Sequence, residues 1–328
     1  MPRTQLAQIG LGGYGRAITE GALASDNAHI HSVFDVDTKL CSEVAKKIGA
    51  KAEGSFKEIL ADDEIKGVVL ILPNHIHQPM AEEAFAAGKH VYVEKPIANT
   101  MSEGRAMVAA AEAASRILMV GHNTRRQGPY RKVKQIVDDG DLGQIVAVDA
   151  QFSHRGGISC PPDAWRQEYE KCPAVPLMQL GVHAIDTLLY LFGPVTVVSS
   201  FQRASGLMSG DNHDVTVTLL EFESGILGTL NSHYVIPGRN YINLLAVDAN
   251  LFSTTESLEL QHQDYSVEVI DTPTVNTQAE ELDDFATSIE TGEAPETDGA
   301  VGLEALAVIE AAIVSAKQDG RPVEVSSV

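Results

Sequence analysis

Three glycines near the N-terminus, Gly10, Gly12 and Gly15, stand in the sequence IGLGGYG with the spacing GxGxxG. They directly follow the apolar run Leu6–Ile9 and open a helix-like segment, which is the setting in which this spacing binds a dinucleotide. Gly10 would allow the tight turn, Gly12 would let the backbone approach a pyrophosphate, and Gly15 would let helix and strand pack closely. Backbone N–H groups at the helix start would then meet the negative phosphates.

An acidic residue stands where such a turn needs one. Asp35 lies 20 positions after Gly15 and ends the apolar stretch His31–Phe34. Its carboxylate would accept hydrogen bonds from the adenosine ribose hydroxyls and would repel a 2′-phosphate. Asp37 adds to that repulsion, and Lys39 is the nearest cation. The sequence therefore predicts NAD as the cofactor in preference to NADP.

A lysine stands at the end of another apolar run, in the sequence VYVEKP, where Lys95 precedes Pro96. Ligands of parallel sheets bind at the carboxyl ends of the strands. A lysine there can donate hydrogen bonds to a substrate hydroxyl without competing as an acceptor. The simpler alternative is a solvated strand end.

The first part of the chain alternates short apolar runs with helix-length segments. This alternation predicts a parallel sheet with helices on both faces. The predicted strands are Leu6–Ile9, Ile30–Phe34, Gly67–Leu72, His90–Val93 and Ile117–Val120. The predicted helices between them are Tyr14–Ala24, Lys39–Ile48, Gln78–Ala87 and Ser102–Ser115.

The regular alternation of apolar runs and helix-length segments ends after about residue 122, so we expect domains at 1–122 and 123–328. Residues 155–173 form a long irregular loop, and loops of that length are usually functional. Closely spaced strands with short turns, such as Ser224-Gly225, predict an antiparallel sheet. The predicted strands are Val195–Phe201, Asp214–Phe222, Ile226–Tyr234, Tyr241–Val247 and Ser257–Leu260, after one at Gln144–Phe152; the predicted helices are Pro129–Asp138, Met178–Phe192, 277–290 and 301–318.

Composition limits the classes of partner. The 328 residues carry a formal net charge of −21, which argues against nucleic acid and anionic membranes as partners. The three cysteines contain no CxxC pair, which argues against a disulfide framework and for a reducing compartment. With no signal-peptide pattern at the N-terminus, we expect a cytoplasmic protein. No group of His, Cys and carboxylate residues has metal-ligand spacing, so no metal site is predicted.

These motifs, with the stretch LPNHIHQPMAEEAFAAGKHVYVEKP, a helix carrying H-A-I-D and the ending LDDFATSIETGEAPETDG, resemble the glucose–fructose oxidoreductase, inositol dehydrogenase and rhizopine-catabolism (Gfo/Idh/MocA) family. The resemblance covers nearly the whole chain. It implies an α/β fold: an N-terminal Rossmann domain with a doubly wound parallel sheet, then a C-terminal α/β domain with an open, mostly antiparallel sheet. That sheet often forms the oligomer interface, so we expect a homo-dimer or homo-tetramer.

The resemblance also implies roles for single residues. Lys95 matches the catalytic lysine of the family, and His183 matches the histidine of an Asp-x-x-x-His motif. Gln179 stands where the family has the aspartate, so this chain departs from the pattern. A glutamine forms hydrogen bonds but cannot hold a proton. On a helix, positions 179 and 183 share a face, so both could point into the site, and Asp186 could partly compensate.

The predicted site has three parts. Catalytic residues are Lys95, His183 and Gln179. Cofactor-binding residues are Gly10, Gly12, Gly13, Tyr14, Gly15, Asp35, Asn74, His77, Glu94 and Lys95. Substrate-binding residues are Lys95, Asn123, Arg125, Trp165, Arg166, Gln179 and His183, with His154 and Arg155 as weaker candidates. Alternatives stay open for single members: a lone tryptophan is usually core, and Asn74 could simply shape its loop.

The combined hypothesis is an NAD-dependent oxidoreductase that transfers a hydride between nicotinamide and a hydroxyl carbon of a sugar, sugar derivative or cyclitol. His183 would take the hydroxyl proton, and Lys95 would stabilise the developing alkoxide. One alternative is a lyase or glycoside hydrolase that retains NAD and oxidises the sugar transiently. A second is a non-catalytic dinucleotide-binding sensor.

Overall fold

The computed structural model describes residues 3–328 and divides them into two compact units. The first unit runs to Asn123 and takes in Asn276–Leu303. The second consists of Thr124–Val275 and Glu304–Val328. The boundary predicted after residue 122 is within one residue of the first break. The return of Asn276–Leu303 to the first unit was not predicted.

The first unit contains a six-stranded parallel sheet. Its strands are β1 (Thr4–Ile9), β2 (Ala28–Phe34), β3 (Lys51–Ala52), β4 (Gly67–Leu70), β5 (His90–Glu94) and β6 (Leu118–Gly121), and the helices between them are α1 (Gly15–Ala24), α2 (Thr38–Ile48), α3 (Phe56–Ala61), α4 (His77–Ala86) and α5 (Met101–Ala114). The strand order is β3-β2-β1-β4-β5-β6. This is the doubly wound order, in which the chain reverses direction across the sheet between β1 and β4.

The interior of this unit explains why these segments are strands. All four residues of β4 are buried, and so are Val91, Tyr92 and Val93 of β5. Continuous apolar runs of this kind fit strands that are covered on both faces. The short strand β3 and helix α3 were not predicted. β3 has two exposed residues and pairs only with β2, so its sequence carries no burial pattern.

The second unit is built on a nine-stranded sheet, in which β7 and β10 are parallel and the other neighbouring pairs are antiparallel. Eight of its nine strands are β7 (Ile145–Ser153), β8 (Val195–Arg203), β9 (Val215–Phe222), β10 (Leu227–His233), β11 (Arg239–Ala246), β12 (Ala249–Thr254), β13 (Leu258–His262) and β14 (Val267–Val269). The first helices of this unit are α6 (Gly128–Asp139) and α7 (Val182–Phe192). The predicted fold class, a parallel Rossmann-like sheet followed by a mostly antiparallel one, is confirmed.

The segment predicted as one helix over Met178–Phe192 is divided in two. A π-helical turn, Leu177–Gly181, runs into α7. Single π turns inside helices are often found at functional sites. The turn matters here because it contains Gln179 and ends two residues before His183.

The chain ends with α8 (Thr277–Thr291), α9 (Gly299–Lys317) and a short strand, β15 (Val323–Glu324), which pairs with β8. Helix α8 supplies Leu282, Phe285 and Ala286 to the core of the first unit. Among the described residues, α9 is the one helix long and apolar enough to cross a membrane, although 61% of its most apolar window is buried inside the protein. Burial of that extent is also what a core helix shows.

Candidate active site

The glycine-rich turn after β1 has two kinds of glycine. Gly10 has a φ of +89°, and a Cβ there would lie 2.1 Å from the carbonyl oxygen of Ile71. A Cβ on Gly15 would lie 2.4 Å from the carbonyl oxygen of Gly10. Gly12 and Gly13 differ, because a Cβ on either meets no heavy atom within 4 Å. The packing of the fold requires Gly10 and Gly15, whereas Gly12 faces open space.

The open space over Gly12 suits a pyrophosphate. Within residues 3–328, the backbone N–H groups of Gly12, Gly13 and Tyr14 donate no hydrogen bond to protein atoms, and no side chain caps the start of α1. Unsatisfied N–H groups at a helix start attract anions. The turn also lies at the β1/β4 switch point, where doubly wound sheets bind their ligands.

Asp35 is fixed against this turn. Its Oδ2 accepts a hydrogen bond of 2.8 Å from the backbone N–H of Leu11, and its Oδ1 accepts one of 2.9 Å from that of Asp37. A carboxylate offers about four lone-pair sites, so both oxygens can still accept ribose hydroxyls. Asp37 has a structural task, since its side chain caps α2 by accepting from the N–H groups of Lys39 and Leu40.

Lys95 follows the last residue of β5, at the carboxyl edge of the sheet, as predicted from the sequence. Its backbone N–H donates to Oε2 of Glu94 over 3.2 Å. The hydroxyl of Tyr92 lies 3.3 Å from Oε1 of Glu94 and 3.1 Å from Oε2 of Glu281 on α8. Burial raises the pKa of Glu94 to about 7, against the lowering effect of Lys95. Glu94 therefore belongs to a buried network that gains a proton near neutrality.

His77 and Asn74 follow β4. The imidazole of His77 is fully buried between two backbone carbonyls, with Nδ1 3.0 Å from the oxygen of Pro96 and Nε2 2.9 Å from that of Leu72. Burial lowers its pKa to about 4, so at neutral pH the ring is uncharged and donates to one of the two. This geometry assigns His77 to holding two loops together and lends no support to its predicted contact with a cofactor. Asn74 is buried in a short 3₁₀ turn.

His183 lies in the first turn of α7 in the second unit. Its Nδ1 is 2.8 Å from the hydroxyl of Thr124, and its ring lies 6.2 Å from that of Phe152. Thr124 was not singled out in the sequence, although it stands inside the segment Asn123–Arg126 that follows β6. A single hydroxyl among the polar residues of this segment carries no spacing or motif that marks it as a histidine partner.

Asp186, on the same helix, pairs with Arg125. The Arg125 guanidinium donates from Nε and Nη2 to the two carboxylate oxygens at 2.9 and 2.6 Å, and Asp186 is fully buried. The ring of Tyr190 covers Arg125 at 5.0 Å. The charge of Arg125 is thus neutralised inside the unit, which gives it a structural explanation. Asn123, in the first unit, donates to the hydroxyl of Thr277 over 3.1 Å.

The long loop brings Trp165 and Arg166 to Gln179. Nε of Arg166 donates to Oε1 of Gln179 over 3.0 Å, and the guanidinium carbon lies 4.3 Å from the centre of the Trp165 ring. The amide nitrogen of Gln179 lies 3.7 Å from Sγ of Cys172. Three predicted substrate-binding residues are therefore neighbours in the second unit.

His154, the weaker candidate, stacks near Tyr234 with ring centres 4.7 Å apart, and its Nδ1 accepts from the N–H of Gly156. Arg155 is exposed beside it. Tyr234 and Cys172 were not predicted as site residues. Tyr234 directly follows β10, and this position gives no signal in the sequence alone.

The predicted residues fall into two groups. The glycine-rich turn, Asp35 and Lys95 belong to the first unit, and His183, Gln179 and Arg166 to the second. The first group has the geometry of a dinucleotide-binding fold. The second group offers an imidazole, an amide and a guanidinium.

Two models of known protein families match parts of this chain. Residues 5–122 match the family model described as an oxidoreductase family with an NAD-binding Rossmann fold. Residues 130–258 match the model of the GFO/IDH/MocA C-terminal domain. The protein is thus of the NAD-binding oxidoreductase class. The chain belongs to the Gfo/Idh/MocA family, as its sequence motifs predicted.

Individual relatives include sugar dehydrogenases. The chain is 26% identical to levoglucosan dehydrogenase of Pseudarthrobacter phenanthrenivorans over 63% of its length, and this match spans 60% of that enzyme. A solved oxidoreductase of Desulfitobacterium hafniense, described as NADPH-dependent, has a TM-score of 0.94 and 28% identity, covering 100% of this chain and 99% of that one. The aldose–aldose oxidoreductase of Caulobacter crescentus has a TM-score of 0.90 and 26% identity, covering 98% and 99%.

Proposed function

We propose that this protein is an NAD-dependent dehydrogenase that oxidises a hydroxyl carbon of a sugar, a sugar derivative or a cyclitol. The observation that carries the proposal is the glycine-rich turn, where Gly12 opens onto free space and the carboxylate of Asp35 is held to the same turn. Its relatives among sugar dehydrogenases support the substrate class.

We propose NAD rather than NADP as the cofactor. The carboxylate of Asp35 would accept hydrogen bonds from the ribose hydroxyls of NAD, but it would repel the negatively charged 2′-phosphate of NADP. Asp35 already accepts hydrogen bonds from two backbone N–H groups. These bonds fix the orientation of its carboxylate, so the side chain cannot easily rotate away from a 2′-phosphate. The bound cofactor would supply the hydride acceptor.

The chain's own residues would handle the proton and the charge. As the C–H bond of the carbinol breaks, the O–H bond breaks with it and a carbonyl forms. His183 would take the hydroxyl proton at Nε2, in the tautomer in which its Nδ1–H donates to the hydroxyl of Thr124. The ammonium of Lys95 would donate a hydrogen bond to the same substrate oxygen and stabilise its developing negative charge. Gln179 would help to orient the substrate without exchanging protons.

Paired substitutions test these roles. In an assay of NADH formation at 340 nm on a panel of sugars, sugar acids and inositols, Lys95→Met and His183→Asn should each lower kcat by about 10²- to 10⁴-fold. Lys57→Met and His262→Asn are matched controls, because both residues are exposed. Wild-type kcat in both site variants would overturn the proposed roles.

We further propose that the protein is a homo-oligomer that works in the cytoplasm, where NAD is supplied. The sheet of the second unit has an apolar face formed by Phe201, Val217, Leu219 and Leu227, with exposed fractions of 51%, 43%, 54% and 59%. Phe201 is directly opposite Val217 across β8 and β9. Exposed apolar patches of this kind mark interaction surfaces, and the occupant we propose is a second copy of the chain.

Sedimentation velocity tests the oligomer. The wild type should sediment as a dimer or tetramer, and Leu219→Lys should shift it toward a smaller species because a charge would be buried in the contact. Leu207→Lys is the control, since Leu207 is 60% exposed but lies outside the sheet. A monomeric wild type would contradict this part of the proposal.

A further inference from the structure

Arg125 pairs with the carboxylate of Asp186, whereas Arg166, the half-buried arginine of the long loop, pairs with no carboxylate among residues 3–328. We propose that the guanidinium of Arg166 binds a carboxylate of the substrate, so that the protein acts on a polyhydroxy acid rather than on a neutral sugar. This inference rests on the proposed dehydrogenase function and narrows its substrate class.

The guanidinium of Arg166 is held by a hydrogen bond at its Nε edge and by an aromatic ring against one of its faces. Its Nε donates to Oε1 of Gln179 over 3.0 Å, and the indole of Trp165 stacks on it at 4.3 Å. The backbone of Arg166 is fixed as well, because its carbonyl accepts from the side-chain amide of Asn212 over 3.1 Å. An arginine whose plane is set in advance loses less freedom when it binds an anion.

The far end of the side chain is open. Within residues 3–328, the two terminal nitrogens of Arg166, Nη1 and Nη2, have no hydrogen-bond partner, and no carboxylate lies within 4.0 Å to form an ion pair with it. In the same loop, the carboxylate of Glu168 is taken by Lys171 at 2.7 Å. Two parallel N–H donors in one plane match the two oxygens of a carboxylate.

The residue at position 179 preserves this charge. Gln179 is only 8% exposed and provides a neutral oxygen to Arg166. An aspartate or glutamate at position 179 would form an ion pair with Arg166. The ion pair would neutralise the guanidinium and weaken its attraction for an anionic ligand. The glutamine holds the guanidinium in place and leaves its positive charge uncompensated.

The charge of Arg166 also affects the pKa values of neighbouring side chains. Burial raises the pKa of Tyr234 to about 12, and Arg166 opposes this rise. Burial likewise raises the pKa of Cys160, again opposed by Arg166. A monoanionic carboxylate would balance the charge of Arg166, whereas a phosphate dianion would add an excess negative charge to a chain of net charge −21.

The kinetic test uses matched pairs of substrates: glucuronate with glucose, galacturonate with galactose, and gluconate with glucitol. The wild type should show at least a tenfold higher kcat/KM for the acid of its best pair. Arg166→Met should raise KM for the acid at least tenfold, change kcat less, and abolish the preference. Gln179→Glu should raise KM for the acid in the same way, because its carboxylate would pair with Arg166. Arg321→Met, an exposed position, is the control.

A binding test separates this inference from the dehydrogenase proposal. Trp165 is the single tryptophan of the chain, so its fluorescence reports on the neighbouring guanidinium. With saturating NAD present, glucuronate, galacturonate or gluconate should change that fluorescence at concentrations at least tenfold lower than its neutral partner, and Gln179→Glu should remove the difference. Acid binding without NADH formation would refute the dehydrogenase but keep the carboxylate site. Equal responses to all acids and neutral partners, or a stronger response to glucose 6-phosphate, would overturn the carboxylate site.

Discussion

The carboxylate of Asp35 accepts a hydrogen bond from the backbone N–H of Leu11, with 2.8 Å between the two atoms. This bond ties the end of β2 to the glycine-rich turn after β1. The acceptor that we assign to the ribose is therefore held in place before any cofactor arrives, which lowers the cost of ordering it on binding.

Replacing Asp35 should change the choice of cofactor. Asp35→Ala removes charge-assisted hydrogen bonds worth roughly 1.5–3 kcal/mol, so kcat/KM with NAD should fall about ten- to hundredfold. The ratio of NADP to NAD activity should rise, because the repulsion of the 2′-phosphate is lost. Steady-state kinetics with both cofactors measures this, and Asp26→Ala, at an exposed position, is the control. An unchanged ratio would remove Asp35 from cofactor selection.

The two kinds of glycine in the turn should respond differently to one methyl group. Gly12→Ala should fold with an unchanged Tm and lose at least tenfold in NAD affinity, since its Cβ enters only the open space. Gly10→Ala should lower Tm, because its Cβ would strike the carbonyl of Ile71 at 2.1 Å. Calorimetry and NADH fluorescence titration measure the two effects. Full NAD affinity in Gly12→Ala would mean that the pyrophosphate binds elsewhere.

The buried carboxyl of Glu94 should make stability depend on pH. Its pKa rises from 4.5 to about 7 on folding, so the folded state holds the proton more tightly than the unfolded state. The free energy of unfolding should therefore fall as pH rises from about 4.5 to 7, and the loss is complete above that window. Glu94→Gln should be more stable than wild type at pH 8, by up to about 3 kcal/mol, but not at pH 4.5.

Urea unfolding followed by circular dichroism at pH 4.5 and pH 8 measures this difference. Glu112→Gln, an exposed position on α5, should show no such change in relative stability. If Glu94→Gln and wild type kept the same stability difference at both pH values, Glu94 would not be the group that gains a proton on folding.

The ion pair of Arg125 and Asp186 should contribute to stability rather than to substrate binding. Because both side chains are buried, Arg125→Met removes the guanidinium that pairs with the Asp186 carboxylate and should destabilise the second unit by about 3–5 kcal/mol. The double variant Arg125→Met/Asp186→Leu should recover part of that loss. Thermal unfolding and KM are the measurements. A large rise in KM with unchanged Tm would instead return Arg125 to the substrate.

Local patterns predicted much of the first unit and the position of its candidate residues. The glycine turn and Lys95 were found because they stand next to buried strands, whose apolar runs are visible in the sequence. The role of His77 was harder to predict from the sequence. A histidine that follows a buried strand is a residue type that often binds ligands, and only the folded structure shows that its ring lies between two backbone carbonyl oxygens.

Long-range packing set the features that were missed. Helix α8 was predicted as a helix, but its apolar stripe does not say which unit it joins, and Phe285 packs in the first. Strand β12 contains Asn250 and Ser253, which are poor strand formers, and it is held by hydrogen bonds to β11 and β13 on either side. The bond between Arg166 and Gln179 joins residues of an irregular loop and a π turn, for which the sequence gives no register.

The most direct test of the central claim is the number of NADH molecules formed per protomer when the purified protein is given excess NAD and the panel of sugars, sugar acids and inositols. A dehydrogenase should form many NADH per protomer with at least one compound, and Lys95→Met should reduce that number sharply. Product formation with no net NADH would instead indicate transient oxidation with a retained cofactor. The absence of both NADH and measurable NAD binding would contradict the account.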